Sequence, residues 1–196
     1  YADNGTYTVS VTVTDDEGAV GTDTLLVTVS NLPPVVNAGP DQAANEGQEV
    51  VFAGSFTDPG TLDTHTIVWD FGDGTTASGS LTPKHVYADN GTYTVRLTVT
   101  DDDDGVDTDT LVLTVNNVAP TIGDVGPNQA VNEGATATLA ASFNDKGTLD
   151  THTATINWGD GTTSPGTVTE SPFGPPGSTA GLNGTVSGNH VYADNG

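Results

Sequence analysis

The stretch Tyr87-Ala-Asp-Asn-Gly-Thr-Tyr-Thr-Val-Arg-Leu-Thr-Val99 decides the fold. Asp89-Asn90-Gly91 is turn chemistry, since Asn and Asp cap tight turns and Gly accepts positive φ. After the turn, Tyr93, Val95, Leu97 and Val99 alternate with Thr94, Arg96 and Thr98, which predicts a strand with one apolar and one polar face. The same words stand at Tyr1-Ala-Asp-Asn-Gly5, followed by Thr6-Tyr7-Thr8-Val9, and at Tyr192-Ala-Asp-Asn-Gly196.

Working outward, residues 6–14 predict a strand with Tyr7, Val9, Val11 and Val13 inward, then a hairpin loop at Asp15-Asp16-Glu17-Gly18 and a second strand carrying Leu25, Val27 and Val29. Asn31-Leu32-Pro33-Pro34 reads as a linker, because proline lacks the donor a sheet needs and restricts its predecessor. A complete module follows. Its expected strands include residues 48–56, with Val50, Phe52 and Phe56 on one face, and a strand with Ile67, Trp69 and Phe71 inward. The linker Asn116-Asn117-Val118-Ala119-Pro120 closes it. Asn132-Glu133-Gly134 then repeats Asn45-Glu46-Gly47, and Phe143 to Thr153 repeats Phe56 to Thr66. Asn157-Trp158-Gly159-Asp160-Gly161-Thr162 matches the run from Asp70 onward only loosely in register, and the insertion between Trp158 and Tyr192, rich in Gly, Pro and Ser at Ser171 to Ser178, reads as an exposed loop or extended hairpin. No helical periodicity of useful length is present, so the expectation is an all-β chain. It divides into two closing strands at 1–30, one complete sandwich at 33–117, and a sandwich at 118–196 lacking its last two strands.

The charge is one-sided: 3 Lys+Arg against 26 Asp+Glu, a formal net charge of −23. That argues against nucleic acid or an anionic membrane as partner, since both need a basic footprint. No apolar run approaches membrane-spanning length, so no membrane insertion is expected. Without cysteine there is neither a disulfide nor thiol chemistry. No nucleophile elbow or ordered base is present, so the chain is read as non-enzymatic.

Trp69-Asp70-Phe71-Gly72-Asp73-Gly74-Thr75, then His85-Val86-Tyr87, then Gly91-Thr92-Tyr93-Thr94-Val95 resembles the PKD domain. The resemblance covers 33–117 fully and both flanks in part. It implies tandem immunoglobulin-like β-sandwiches arranged end to end, an extracellular or cell-surface setting in a bacterial or archaeal protein, and roles in adhesion, stalks or accessory domains of secreted hydrolases. The strand count fits a sandwich, Trp69 suits its core anchor, and Asp89-x-Gly91-x-Tyr93 has the spacing of a tyrosine corner.

Folding the strands up and down sorts the acidic loops into two poles. Asn31, Asp58, Asp63 and the run Asp101 to Asp104, with Asp101 and Asp103 as ligand candidates, gather at one. Glu46, Asp73, Asp89 and Asn117 gather at the other, facing Asp145 and Asp150 of the next module. Glu133 and Asp160 hold the positions of Glu46 and Asp73 one module on. Carboxylates so grouped repel one another unless a cation sits between them. An all-oxygen donor set suits Ca²⁺, so calcium at the module junctions is expected. The recurring His65, His85, His152 and His190 lack metal-ligand spacing and are expected to pack near strand ends. Asn4, Asn90 and Asn183 fit a glycosylation acceptor but are read first as turns.

The leading functional reading is a calcium-stiffened repeat of an extracellular fibre, stalk or adhesin, with neighbouring copies of the same repeat as partners. The alternative is a polysaccharide-binding or accessory module of a secreted hydrolase. Tyr1 and Tyr192 lie 191 positions apart, which predicts an array of that period. In it, strands like 6–30 would complete a module like 118–196 of a neighbouring copy.

Overall fold

The computed structural model describes residues 1–171 and 178–193, and every element is a strand. The centre of the Ser171 to Ser178 segment and the turn residues Asp194-Asn195-Gly196 lie outside the described residues. The chain forms two compact units: Tyr1–Pro40, Phe52–Pro83 and Thr94–Leu111 make one; Asp41–Val51, Lys84–Tyr93 and Val112–Gly196 make the other.

β1 (Gly5–Thr14) and β2 (Val20–Val29) form an antiparallel hairpin closed by Asp15, whose Oδ1 accepts the Glu17 and Ala19 amides. Next come β3 (Val35–Asn37), β4 (Gln42–Asn45), β5 (Glu49–Val51), β6 (Ser55–Thr57), β7 (His65–Asp70), β8 (Thr76–Ser78), β9 (Lys84–Val86), β10 (Gly91–Asp101) and β11 (Val106–Asn116). One sheet runs β4-β11-β10-β7-β8, with β3-β6 and β5-β9 as separate pairs. In the first unit Phe52, Trp69, Phe71, Val95, Leu97 and Val99 are buried, with the Phe52 ring 5.4 Å from both Trp69 and Phe71. Trp69 Nε1 donates to the Ser80 carbonyl, so its one polar atom is satisfied inside the core.

The expected strand at 48–56 is two strands. Between them the Phe52 and Gly54 amides turn to the Pro83 and Leu81 carbonyls, while β5 pairs with β9 and β6 pairs with β3. Gly54 permits the switch: a methyl group there would lie 2.6 Å from Leu97 Cδ2 and 2.7 Å from Trp69 Cζ2. The tyrosine corner is present, with the Tyr93 hydroxyl donating to the Asp89 carbonyl at 3.0 Å and Tyr7 doing the same to Asp3 at 2.8 Å. Val9, Val11 and Val13, expected inward, are exposed. No layer covers that hairpin face among the described residues.

In the second unit, β12 (Thr121–Ile122), β13 (Thr136–Asp145), β14 (Ala154–Asn157), β15 (Thr163–Ser171) and β16 (Leu182–Val191) form a sheet ordered β12-β13-β16-β15-β14. β15 and β16 are the extended hairpin expected after Trp158. Asn183 lies within β16, not in a turn, and accepts from Asn144 Nδ2. The core gathers Ala141, Phe143, Ile156, Leu182 and Val186.

The module register is tighter than the sequence reading allowed. The Trp158 amide donates to the Thr162 carbonyl at 3.1 Å, as the Phe71 amide does to Thr75. Trp158 therefore occupies the place of Phe71, and Ile156 that of Trp69. Moving the large ring two residues along a strand keeps it on the same face.

Candidate junction site

Three carboxylates of the second unit, Glu46, Asp89 and Asp150, place oxygens within 4.8 Å of one another. Glu46 follows β4 in the turn at 46–48, Asp89 precedes β10 in the corner turn, and Asp150 sits in the loop between β13 and β14. Backbone bonds hold the three segments together. The Thr148 amide donates to the Ala88 carbonyl at 2.8 Å, the Gly47 amide to the Tyr87 carbonyl at 3.0 Å, and the Glu46 amide to the Asn116 carbonyl at 3.1 Å.

Glu46 is the unusual member. It is 1% exposed. Its Oε1 accepts the Val118 amide at 2.6 Å, whereas Oε2 is buried with no hydrogen-bond partner. Buried polar oxygens are nearly always paired, and an orphaned one needs an explanation. Burial pushes the Glu46 carboxyl above its ordinary range. The Val118 amide opposes this, and Asp150, Asp145 and Asp89 add to the rise. Asp150 is raised as well, by burial and then by Asp145 and Asp89, with His152 opposing.

Asp145 borders this group and is already engaged. Its Oδ2 meets His152 Nε2 at 2.7 Å, and His152 Nδ1 meets Glu170 at 2.8 Å. Both ring nitrogens face carboxylates, an arrangement only the imidazolium satisfies as double donor. Burial lowers the His152 pKa, but the bonds to Asp145 and Glu170 outweigh it and the net shift is upward. Asn117 borders a hollow shared with Asp145 and Asp150.

The other pole, in the first unit, assembles as the sequence suggests. Asp58, Asp63 and Asp101 cluster within 4.8 Å, and so do Asp3, Asp63 and Asp103. Asp3 was absent from the expected set; its repeat relation to Asp89 was the available signal. Asp101 is spoken for: Asn31 Nδ2 donates to Oδ2 at 2.9 Å, and the Asp103 and Gly105 amides donate to Oδ1. These bonds, led by Asn31, hold its carboxyl below the ordinary range. Asp58 meets His65 Nε2 at 2.9 Å. Burial and then Asp58 raise Asp63.

Neither Asp73 nor Asp160 belongs to these groups. Each closes its own turn, accepting the amide and hydroxyl of the Thr two residues on (Thr75 and Thr162), and Asp160 also meets His190 at 2.7 Å. Those bonds, led by the Thr162 hydroxyl, lower the Asp160 carboxyl to about 2. Glu133 is exposed and joins no acidic group among the described residues. The histidine–aspartate pairs at spacing seven, His65 with Asp58 and His152 with Asp145, were not foreseen. The repeated block Phe56 to Thr66 and Phe143 to Thr153 contained both members.

No helix of the described residues is long and apolar enough to cross a membrane. Curated proteins similar in sequence include the following two. The dyslexia-associated protein KIAA0319 of Homo sapiens is 31% identical over 168 residues, 76% of this chain. The collagenase ColA of Bacillus cereus is 37% identical over 67 residues, 34% of this chain. The chain spans only 15% and 7% of their respective lengths. Among solved structures, the PKD1 domain of Vibrio anguillarum Epp is 32% identical, with a TM-score of 0.37 over 44% of this chain and 96% of that domain. The chain belongs to the PKD domain family, whose typically non-catalytic module it matches twice in tandem, over residues 31–115 and 117–196.

Proposed function

We propose that this chain is a non-catalytic structural segment of an extracellular stalk, fibre or adhesin, and that Ca²⁺ bound by Glu46, Asp89 and Asp150 stiffens the linker at residues 116–120. The observation that carries this reading is the orphaned Oε2 of Glu46, buried and grouped with two further carboxylates. A divalent cation would satisfy that oxygen and cancel the repulsion that raises both Glu46 and Asp150. Three carboxylates with nearby Asn117 and backbone carbonyls form a hard oxygen donor set, and Ca²⁺ tolerates such irregular geometry better than Mg²⁺ does. Extracellular modules bind calcium at about 10⁻⁴–10⁻³ M, which suits a site outside the cell.

The linker would gain most. Glu46 receives the Val118 amide on its side chain and gives its own amide to Asn116, so fixing Glu46 fixes both ends of the linker's first turn. Thermal melting in chelator and in millimolar calcium tests the reading. A higher melting temperature with calcium supports it; coincident curves at low salt contradict it.

The similarity to a collagenase supports a second reading, an accessory module of a secreted hydrolase. Tyr1 is the one exposed aromatic among the described residues, so no row of rings offers itself to a glycan. A polysaccharide pull-down separates the two readings.

A further inference from the structure

The space that a side chain at Gly147 would take is the space between two of the junction carboxylates. A methyl group there would overlap Asp150 Oδ2, and would lie 2.7 Å from Asp150 Cγ and 3.0 Å from Glu46 Oε2. That Glu46 oxygen is the buried one without a partner, on a side chain 1% exposed. The orphaned oxygen and Asp150 thus border one gap, and Asp89 brings a third carboxylate oxygen within 4.8 Å of both. Ca²⁺ holds oxygens at about 2.3–2.6 Å, so a single ion can bridge oxygens up to about 5 Å apart.

The backbone does not itself call for glycine here. Glycine is demanded by a positive φ or by a close approach. Gly147 is not among the positive-φ residues, so alanine would suit its backbone and only the close approach remains. Nor can the loop slide to make room. Gly147 is buried, its amide donates to Asp145 Oδ1 at 3.2 Å, and its carbonyl accepts the Asp150 amide at 3.4 Å. The next residue, Thr148, is fixed by its amide bond to the Ala88 carbonyl at 2.8 Å.

The first unit supplies a contrast. Gly60-Thr61-Leu62-Asp63 repeats Gly147-Thr148-Leu149-Asp150, and a methyl group at Gly60 would overlap the Asp63 carboxylate, with Cγ 2.5 Å away. The folded-back Asp is therefore common to both loops. No orphaned buried oxygen borders Gly60 among the described residues. Only at Gly147 does the gap also face an unsatisfied oxygen.

We infer, resting on the calcium reading of this group, that Gly147 is the specificity-determining position of the junction site: the side chain it lacks keeps open, between Glu46 Oε2 and Asp150, the space for a cation as large as Ca²⁺. Selection between hard cations turns on cavity size and ligand number, and Gly147 sets the first without supplying a carboxylate. A methyl group there would leave every acid of the chain in place, so calcium would be lost through lost room and not through lost charge.

The test is calorimetric titration of CaCl₂ into the unmodified chain, Glu46→Gln, Gly147→Ala and Gly60→Ala, all freed of cations. The binding event present in the unmodified chain and absent from Glu46→Gln should weaken by about 10–100-fold in Gly147→Ala, as for other changes around a metal's direct ligands. It should persist in Gly60→Ala, which crowds its own loop in the same way. Isotope-edited NMR of the unmodified chain gives a reading that needs no variant to fold: the Hα signals of Gly147 should move at the calcium midpoint of that event. Unchanged calcium binding by Gly147→Ala, an equal loss in Gly60→Ala, or Gly147 Hα signals that stay fixed as the site fills would each overturn the inference and leave the calcium reading standing. An unmodified chain without a Glu46-dependent event would overturn that reading, and the role of Gly147 with it.

Discussion

The Val118 amide donates to Glu46 Oε1 at 2.6 Å, while the other oxygen of the same carboxylate is buried without a partner. One side chain thus holds the linker and leaves a charge unresolved. Leaving a buried polar oxygen unpaired costs about 1–3 kcal/mol, and more when it is ionised. The arrangement makes sense as half of a cation site.

Glu46→Gln should therefore separate the two roles. The amide keeps an oxygen for Val118 and turns its NH₂ toward Asp89 and Asp150. In chelator this variant should melt above the unmodified chain, by about 1–3 kcal/mol of stability, and should lose its response to calcium. Calorimetry on both proteins checks it. A variant that is destabilised in chelator and still responds to calcium contradicts the assignment.

Stability in chelator should depend on pH with a definite sign. The folded-state pKa values of Glu46, Asp150 and His152 are raised, so the stability they contribute is complete below their ordinary values and is lost as pH rises through the folded ones. Asp160, lowered to about 2, acts oppositely: its contribution is lost as pH falls from its ordinary 3.8 towards 2. The melting temperature in chelator should climb from pH 8 towards about pH 4.5 and fall below about pH 3.8. Calcium should flatten the upper limb, since it does the proton's work there. A fall from pH 8 to pH 5 in chelator runs against this account.

Trp69→Ala should cost about 3–5 kcal/mol, because the indole is fully buried against Phe52 and bonded to Ser80. Urea unfolding measures it, and the loss should appear as an earlier midpoint.

Gly54→Ala should be destabilising alone, since its methyl would press on Leu97 and Trp69. Leu97→Val, the residue found at position 11, should relieve part of that. A double-mutant cycle should show favourable coupling of about 0.5–3 kcal/mol, whereas strict additivity would contradict the close approach of position 54 to Leu97.

Much of this was legible in the sequence. The alternation from Tyr93 to Val99 gave β10, and Asp89-x-Gly91-x-Tyr93 gave the corner that Tyr93 and Asp89 form. Glu46, Asp89 and Asp150 were foreseen as neighbours because repeats place like loops at like poles. What escaped was set by tertiary contact. The break at residue 52 depends on the carbonyls of Leu81 and Pro83, which no local pattern reveals. Asp73 and Asp160 looked like ligands because acid in a loop serves either purpose. Only the bonds to Thr75 and Thr162 distinguish a turn-closing carboxylate from a free one. The carboxylate contacts of His65 and His152 were missed because imidazole was weighed as a metal ligand or as packing near a strand end, not as the partner of an acid seven residues earlier.

The most direct test is calorimetric titration of CaCl₂ into the unmodified chain and into Glu46→Gln, both freed of cations. The account predicts saturable binding at about 10⁻⁴–10⁻³ M in the unmodified chain. It predicts proton release that grows as the buffer is made more acidic, and loss of that binding event in Glu46→Gln. Binding that is absent from the unmodified chain, or unchanged by the substitution, would contradict it.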